Sequence, residues 1–349
     1  TILSAKSLEN SHLSAMRKIF LPAKITSIIF LLIYLLGLSS QAQAEHAPEP
    51  EVVKVNVLSA FSTTQERELL HSLRQTLLEQ YNMKADEQLI FWQRQGNWES
   101  LLEKNQPDLI IVIGNKSFKK LQQVELNTPV LAVMLGKSKF ESLKASPRDN
   151  IYAITHSQPT ERFVQLAKSL NVYQAQIGSF ISPQTKYNIQ TFERLANFYN
   201  LAYSPVMVEP KLHGRDALRQ LSLCCSVIIL ESDCVFRPGK VRKSIMVNAY
   251  RERIIVIAHA ESVLKEGAML TLFTQPYDIG AQAADLYHAL VEGSLTQPYQ
   301  YPDKFAIGIN RKIARLLGYD DLTVGGLMQK VETLDFIQSA MGNGKTTTP

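Results

Sequence analysis

The sequence predicts an α/β protein built as two doubly wound parallel-sheet lobes with a hinge and an interlobe cleft, and three observations predict it. Short apolar runs alternate with amphipathic helical runs almost throughout, which is the pattern of βαβ units. The alternation restarts after His156 without a Pro/Gly-rich tether, as expected where a chain crosses a hinge into a second lobe. Setting a leader aside leaves about 300 residues, more than a single core usually holds.

The first lobe opens with a strand over 52–58 and a helix over 65–81, whose Leu69, Leu73 and Leu77 fall on one stripe. Strands follow at 88–92, 109–113, 130–134 and 150–155, with helices at 98–104 and 117–123. After His156 a helix over 160–170 leads to a strand at 175–181. The helix 186–199 leads to 203–208, 215–221 to 226–230, and 240–253 to 254–258. A helix over 277–292 places Ile279, Ala283, Leu286 and Leu290 on one face, so that face packs on a sheet. The polar tail over 342–349 is expected to be disordered.

Residues 1–44 read as a leader. Met16 begins a basic segment with Arg17, Lys18 and Lys24, an apolar run extends from Ile25 to Leu38, and Ala42-Gln43-Ala44 supplies small residues for cleavage. The apolar run is about 14 residues, short of the roughly 20 that span a bilayer. The expected product is an exported chain from about residue 45, with an uncleaved anchor as the alternative. The leader holds four of the cations, with Lys6 the fourth, against Glu9 alone, so its removal lowers the formal charge from +5 to about +2. Nucleic-acid binding loses its main support with that charge.

The three cysteines, Cys224, Cys225 and Cys234, do not form a disulfide framework. The nine-residue step from Cys225 to Cys234 contains a buried-strand pattern and covers roughly 30 Å when extended, whereas a disulfide brings Cα atoms to about 5.5 Å. No CxxC, HxxxH or HExxH spacing points to a metal. There is no GxSxG elbow, P-loop or GxGxxG, so neither an enzyme nor a cofactor is expected. Trp92 and Trp98 read as packing residues, with sugar stacking the alternative.

Ligands of doubly wound sheets bind beyond the carboxyl ends of the strands. Those positions nominate Ser59 and Phe61 after the first strand, Asn115 and Ser117 after the third, and Gly136 after the fourth. Asn115 and Ser117 open a helix, where they either cap it or help hold a carboxylate or other polar group. Phe61 either stacks on a ligand or covers the sheet edge. Across the cleft, Asp233 either receives an ammonium group or caps a helix, and His259 either donates to a ligand or satisfies a hinge carbonyl. Gln184 completes the rim.

The closing third carries Gly267-Ala268, then Tyr277 with Gly280, then Asn310 with Ala314 and Gly318. In that order these pieces resemble the ABC transporter substrate-binding proteins of the tryptophan/tyrosine type. The resemblance implies the type I periplasmic-binding-protein fold, with 51–156 and 276–298 in lobe 1 and 157–275 and 299–330 in lobe 2. It also implies a monomer in the periplasm that closes on a small, amino-acid-like ligand and delivers it to an ABC permease in the inner membrane. The alternative is an exported sensor or accessory module acting on a membrane receptor or kinase without transport. Asp233 matches the family's Asp just past a strand end. Two positions depart from the family: Leu135-Gly136-Lys137 stands where members usually show Asp-Pro, and Gln275-Pro276 where they tend to carry Asp-Tyr.

Overall fold

A computed structural model describes residues 49–173, 175–183, 185–208, 214–231 and 239–343, so the leader, most of the tail, Gln184 and Asp233 lie outside the described residues. The strands are β1 (Glu51–Ser59), β2 (Met83–Phe91), β3 (Leu109–Ile113), β4 (Val130–Leu135), β5 (Ile151–Thr155), β6 (Gln176–Ile181), β7 (Ala202–Met207), β8 (Val227–Leu230), β9 (Ile255–Ala258), β10 (Leu270–Phe273), β11 (Tyr299–Gln300) and β12 (Ala306–Ile309). The helices are α1 (Thr64–Tyr81), α2 (Trp98–Leu102), α3 (Gly114–Leu121), α4 (Lys137–Ala145), α5 (Thr160–Ser169), α6 (Asn188–Phe198), α7 (Gly214–Ser222), α8 (Gly239–Arg251), α9 (Pro276–Val291), α10 (Arg311–Leu317) and α11 (Val324–Asn343). A 3-10 turn spans Glu261–Glu266.

Two six-stranded sheets result, ordered β11-β5-β4-β3-β1-β2 and β12-β10-β9-β8-β6-β7. The first is parallel throughout, and the second is parallel except where β12 runs against β10. Strands buried on both faces need continuous apolar sequence, and Leu109–Ile113 is LIIVI, buried at every position. On one side of the first sheet, Leu69, Leu73 and Leu77 of α1 pack with Ile279, Ala283 and Leu286 of α9. Phe118 of α3 and Phe140 of α4 fill the other side. The second sheet is layered in the same way, with α5, α6, α10 and α11 on one face and α7 and α8 on the other.

The chain therefore passes between the sheets three times: after β5, after β10, and between β11 and β12. The buried Gln158 ties these crossings together, since its Nε2 donates to Thr274 Oγ1 at 2.5 Å and to Lys304 O at 3.1 Å. Arg162 braces the third crossing by donating to Pro302 O at 2.7 Å and to Asp303 O at 3.1 Å. Gln158 itself accepts from Arg162 at 2.6 Å.

Local signals set several boundaries. Thr63 and Glu66 form a reciprocal capping box at the start of α1. β2 begins at Met83, five residues before the expected start at 88, because it is the sheet edge and pairs only with β1. An edge strand has a face that tolerates the polar residues of KADEQ. The two-residue β11 was too short to carry a periodic signal. Asn310 caps α10 by accepting from Ile313 N at 3.2 Å, while its Nδ2 donates to Leu264 O at 2.9 Å. Asn310→Ala removes both bonds, and we expect a loss of about 2 kcal/mol in urea denaturation.

Candidate functional site

In both sheets the strand order reverses beside the first strand of its lobe, which is the switch-point geometry where doubly wound sheets bind ligands. The first sheet turns between β1 and β3, and the second between β6 and β8. A cavity of ≈ 630 Å³ is lined from both sides: by Glu66, Ile113, Gly114, Met134 and His156 on the first lobe, and by His259, Glu261 and Lys265 on the second. The crossover residues Thr274 and Gln275 also line it.

Two local distortions shape its first-lobe wall. Gly114 has φ 79, a left-handed backbone that glycine adopts without strain, which lets β3 turn directly into α3. Met134 has φ 59 at a register shift in β4, an arrangement that costs a side-chain-bearing residue about 1 kcal/mol or more and re-aims the strand end.

Two histidines follow strand ends, His156 after β5 and His259 after β9. His156 Nδ1 lies 3.3 Å from Met134 O, and His259 Nδ1 lies 3.2 Å from Leu230 O. A carbonyl only accepts, so each Nδ1 carries a proton. Burial pushes the His259 imidazole down to about 4, and the positive fields of His156 and Arg242 act in the same direction. His259 is therefore neutral at neutral pH and brings hydrogen-bonding capacity to the cavity without charge.

Of the nominated residues, His259 lines the cavity. Ser59 sits behind the wall, donating to Glu66 Oε1 at 2.8 Å. Phe61 is 43% exposed beyond β1. Asn115 Oδ1 accepts from Gly136 N at 2.9 Å, stitching α3 to the end of β4. Ser117 is buried and accepts from Trp92 Nε1 at 3.2 Å, so this indole is engaged in packing. The residues that sequence reasoning passed over are His156, Met134, Lys137, Thr160 and Glu231. His156 carried a usable signal, since His closes the strands of both IYAIT and IIVIA.

Lys137, at the start of α4 on the first lobe, is only 3% exposed and meets Glu231, 13% exposed, just past β8 on the second. Its Nζ lies 2.5 Å from Glu231 Oε1 and also donates to Thr160 Oγ1. Thr160 donates to the same carboxylate oxygen at 2.8 Å, and Asn188 Nδ2 donates to Glu231 Oε2 at 2.6 Å. Among the described residues, no group of three or more His, Cys, Asp or Glu side chains is placed to hold a metal ion.

The family model of the ABC transporter substrate binding protein matches residues 73–320. The chain belongs to that family. Among solved structures, this substrate-binding protein is similar to the ligand-free, open structure of a substrate binding protein with adhesive properties from Clostridium difficile, with 14% identity, a TM-score of 0.62, and coverage of 78% of this chain and 96% of that one. It is also similar to an ABC domain in complex with L-Trp from Streptococcus pneumonia, at 17% identity, a TM-score of 0.51, and 77% and 95% coverage. A conserved domain protein from Vibrio cholerae matches at 20% identity, with a TM-score of 0.52 and 80% and 98% coverage. No curated protein matches the chain. Within this substrate-binding protein, Lys137 falls in the segment Leu135-Gly136-Lys137 noted above as departing from the family, and it pairs with Glu231 of the other lobe.

Proposed function

We propose that the chain is an exported solute-binding protein whose lobes close on a small, amino-acid-like ligand and present the closed form to an ABC permease in the inner membrane. The observation that carries this reading is the cavity lined by the carboxyl ends of both sheets, with three chain crossings tied at Gln158. A ligand that touches both walls only when the lobes are together stabilises the closed state by its differential affinity. The family supports a role in binding rather than catalysis, and the L-Trp in one neighbour supports the amino-acid-like class. Among the described residues no helix is long and apolar enough to cross a membrane, and the leader pattern of residues 16–44 supports export.

A thermal-shift screen against amino acids, nucleosides, sugars and small organic acids tests the reading. A ligand present at 100 times its Kd adds about 2.7 kcal/mol to stability. An amino acid or close relative is expected to give that response. A response from sugars alone moves the ligand class, and a flat screen sinks solute binding.

A further inference from the structure

The ammonium of Lys137 is held by groups of the other lobe and by nothing in its own helix. At the first position of α4 a cation sits at the wrong end of the helix dipole, and a buried ammonium is costly unless it is closely paired. Its paired oxygens belong to the other lobe: Glu231 follows β8 of the second sheet, and Thr160 begins α5, which packs on that sheet. Asn188 begins α6, which follows β6, and holds the far oxygen of the same carboxylate. These groups converge beside the β6/β8 switch point, where a doubly wound lobe receives a ligand. The cavity is adjacent, because Leu230 O, one residue before Glu231, is bonded by the cavity-lining His259.

We propose that Glu231, Thr160 and Asn188 form a primary-ammonium site on the second lobe, and that Lys137 of the first lobe is its resident, exchangeable occupant. The proposal rests on the reading that the two lobes separate and close around solute. The lysine side chain is in effect a tethered butylammonium ion. While it fills the site it holds the lobes together, and an incoming amine gains the site only in competition with it. Occupancy by an internal competitor lowers the apparent affinity for free amine by the fraction of time the site is open. The ligand class that the site selects is therefore a solute carrying a primary ammonium group.

Chemical rescue tests this with the full chain. Lys137→Ala is expected to enlarge the radius of gyration measured by small-angle X-ray scattering in the absence of ligand. Adding n-butylammonium chloride should restore the compact value and raise the melting temperature, saturably, while sodium butyrate at the same ionic strength does neither. The apparent dissociation constant for butylammonium should be at least about tenfold lower in Lys137→Ala than in the unaltered chain, whose site is already filled. Glu231→Gln should expand the chain from the other side and show no rescue, and so should the double variant Lys137→Ala/Glu231→Gln. Equal responses to butylammonium and butyrate overturn the site, as does unchanged scattering in both Lys137→Ala and Glu231→Gln. Expansion without rescue also overturns it, leaving Lys137 as a strut between lobes. The test uses no natural solute: rescue with a flat solute screen removes the solute-binding reading and keeps the ammonium site, whereas a responsive screen without rescue does the reverse.

Discussion

Replacing Gly280 by alanine destabilises the chain by about 3 kcal/mol or more, at the upper end of what overpacking costs. A Cβ at this position would lie 2.1 Å from Leu69 O, 2.9 Å from Leu69 C and 3.0 Å from Ser72 Cβ. The first two of these are backbone atoms of α1, which no rotamer change can move aside, so α9 and α1 must separate. The separation opens the layer in which Leu69, Leu73 and Leu77 meet Ile279, Ala283 and Leu286, all buried, and dispersion is lost steeply with even small gaps. The sign is diagnostic. Where a helix position is sterically open, Gly→Ala does not destabilise, and Gly325, in the first turn of α11 with nothing within 4 Å of its Cβ position, supplies that control. Urea denaturation should show a lower midpoint at unchanged slope for Gly280→Ala, and a midpoint equal or higher for Gly325→Ala. Equal behaviour of the two variants would falsify the close approach.

Gly280 also shows what was legible in the sequence and what was not. The Tyr277-x-x-Gly280 pairing pointed to a packed helix start, and the stripe of apolar residues on each of α1 and α9 pointed to a buried face. The identity of the partner helix, some 200 residues away, lies outside any local pattern. Strands such as β3 announced themselves because burial on both faces demands unbroken apolar sequence. The edge strand β2 and the two-residue β11 did not, because one-sided or brief pairing leaves too little periodicity. The same division holds at the cleft. That strand ends would face one another followed from the doubly wound pattern, and it brought into view His259, which lines the cavity. Whether an end residue looks into the cleft or back into its own lobe is decided by tertiary pairing. Asn115 turns toward Gly136 N and Ser117 toward Trp92, while Lys137 reaches Glu231 across 94 positions of sequence. Only the departure from the family at Leu135-Gly136-Lys137 hinted that this corner differs.

Acidification should weaken the fold through His259. In the folded chain burial holds this imidazole neutral down to about 4, with His156 and Arg242 reinforcing the effect and the bond to Leu230 O and the charge of Glu231 opposing it. In the unfolded chain it titrates near the ordinary histidine value of about 6.5. Above that value both states are neutral and His259 contributes no pH dependence. As pH falls from about 6.5 toward 4, the unfolded state gains a proton that the folded state refuses, so stability drops across that window and the loss levels off below it. The full loss is about 3 kcal/mol. His259→Gln keeps an amide donor for Leu230 O and removes the titration. Denaturation at pH 7, 5.5 and 4 should therefore show the unaltered chain losing about 3 kcal/mol more than the variant between the extremes, and parallel curves would sink the assignment. The neutral ring also bears on the cleft. A protonated His259 next to Leu230, one residue from the Glu231 carboxylate, would compete with any cation held there, whereas a neutral one leaves that carboxylate to Lys137 or to an incoming amine.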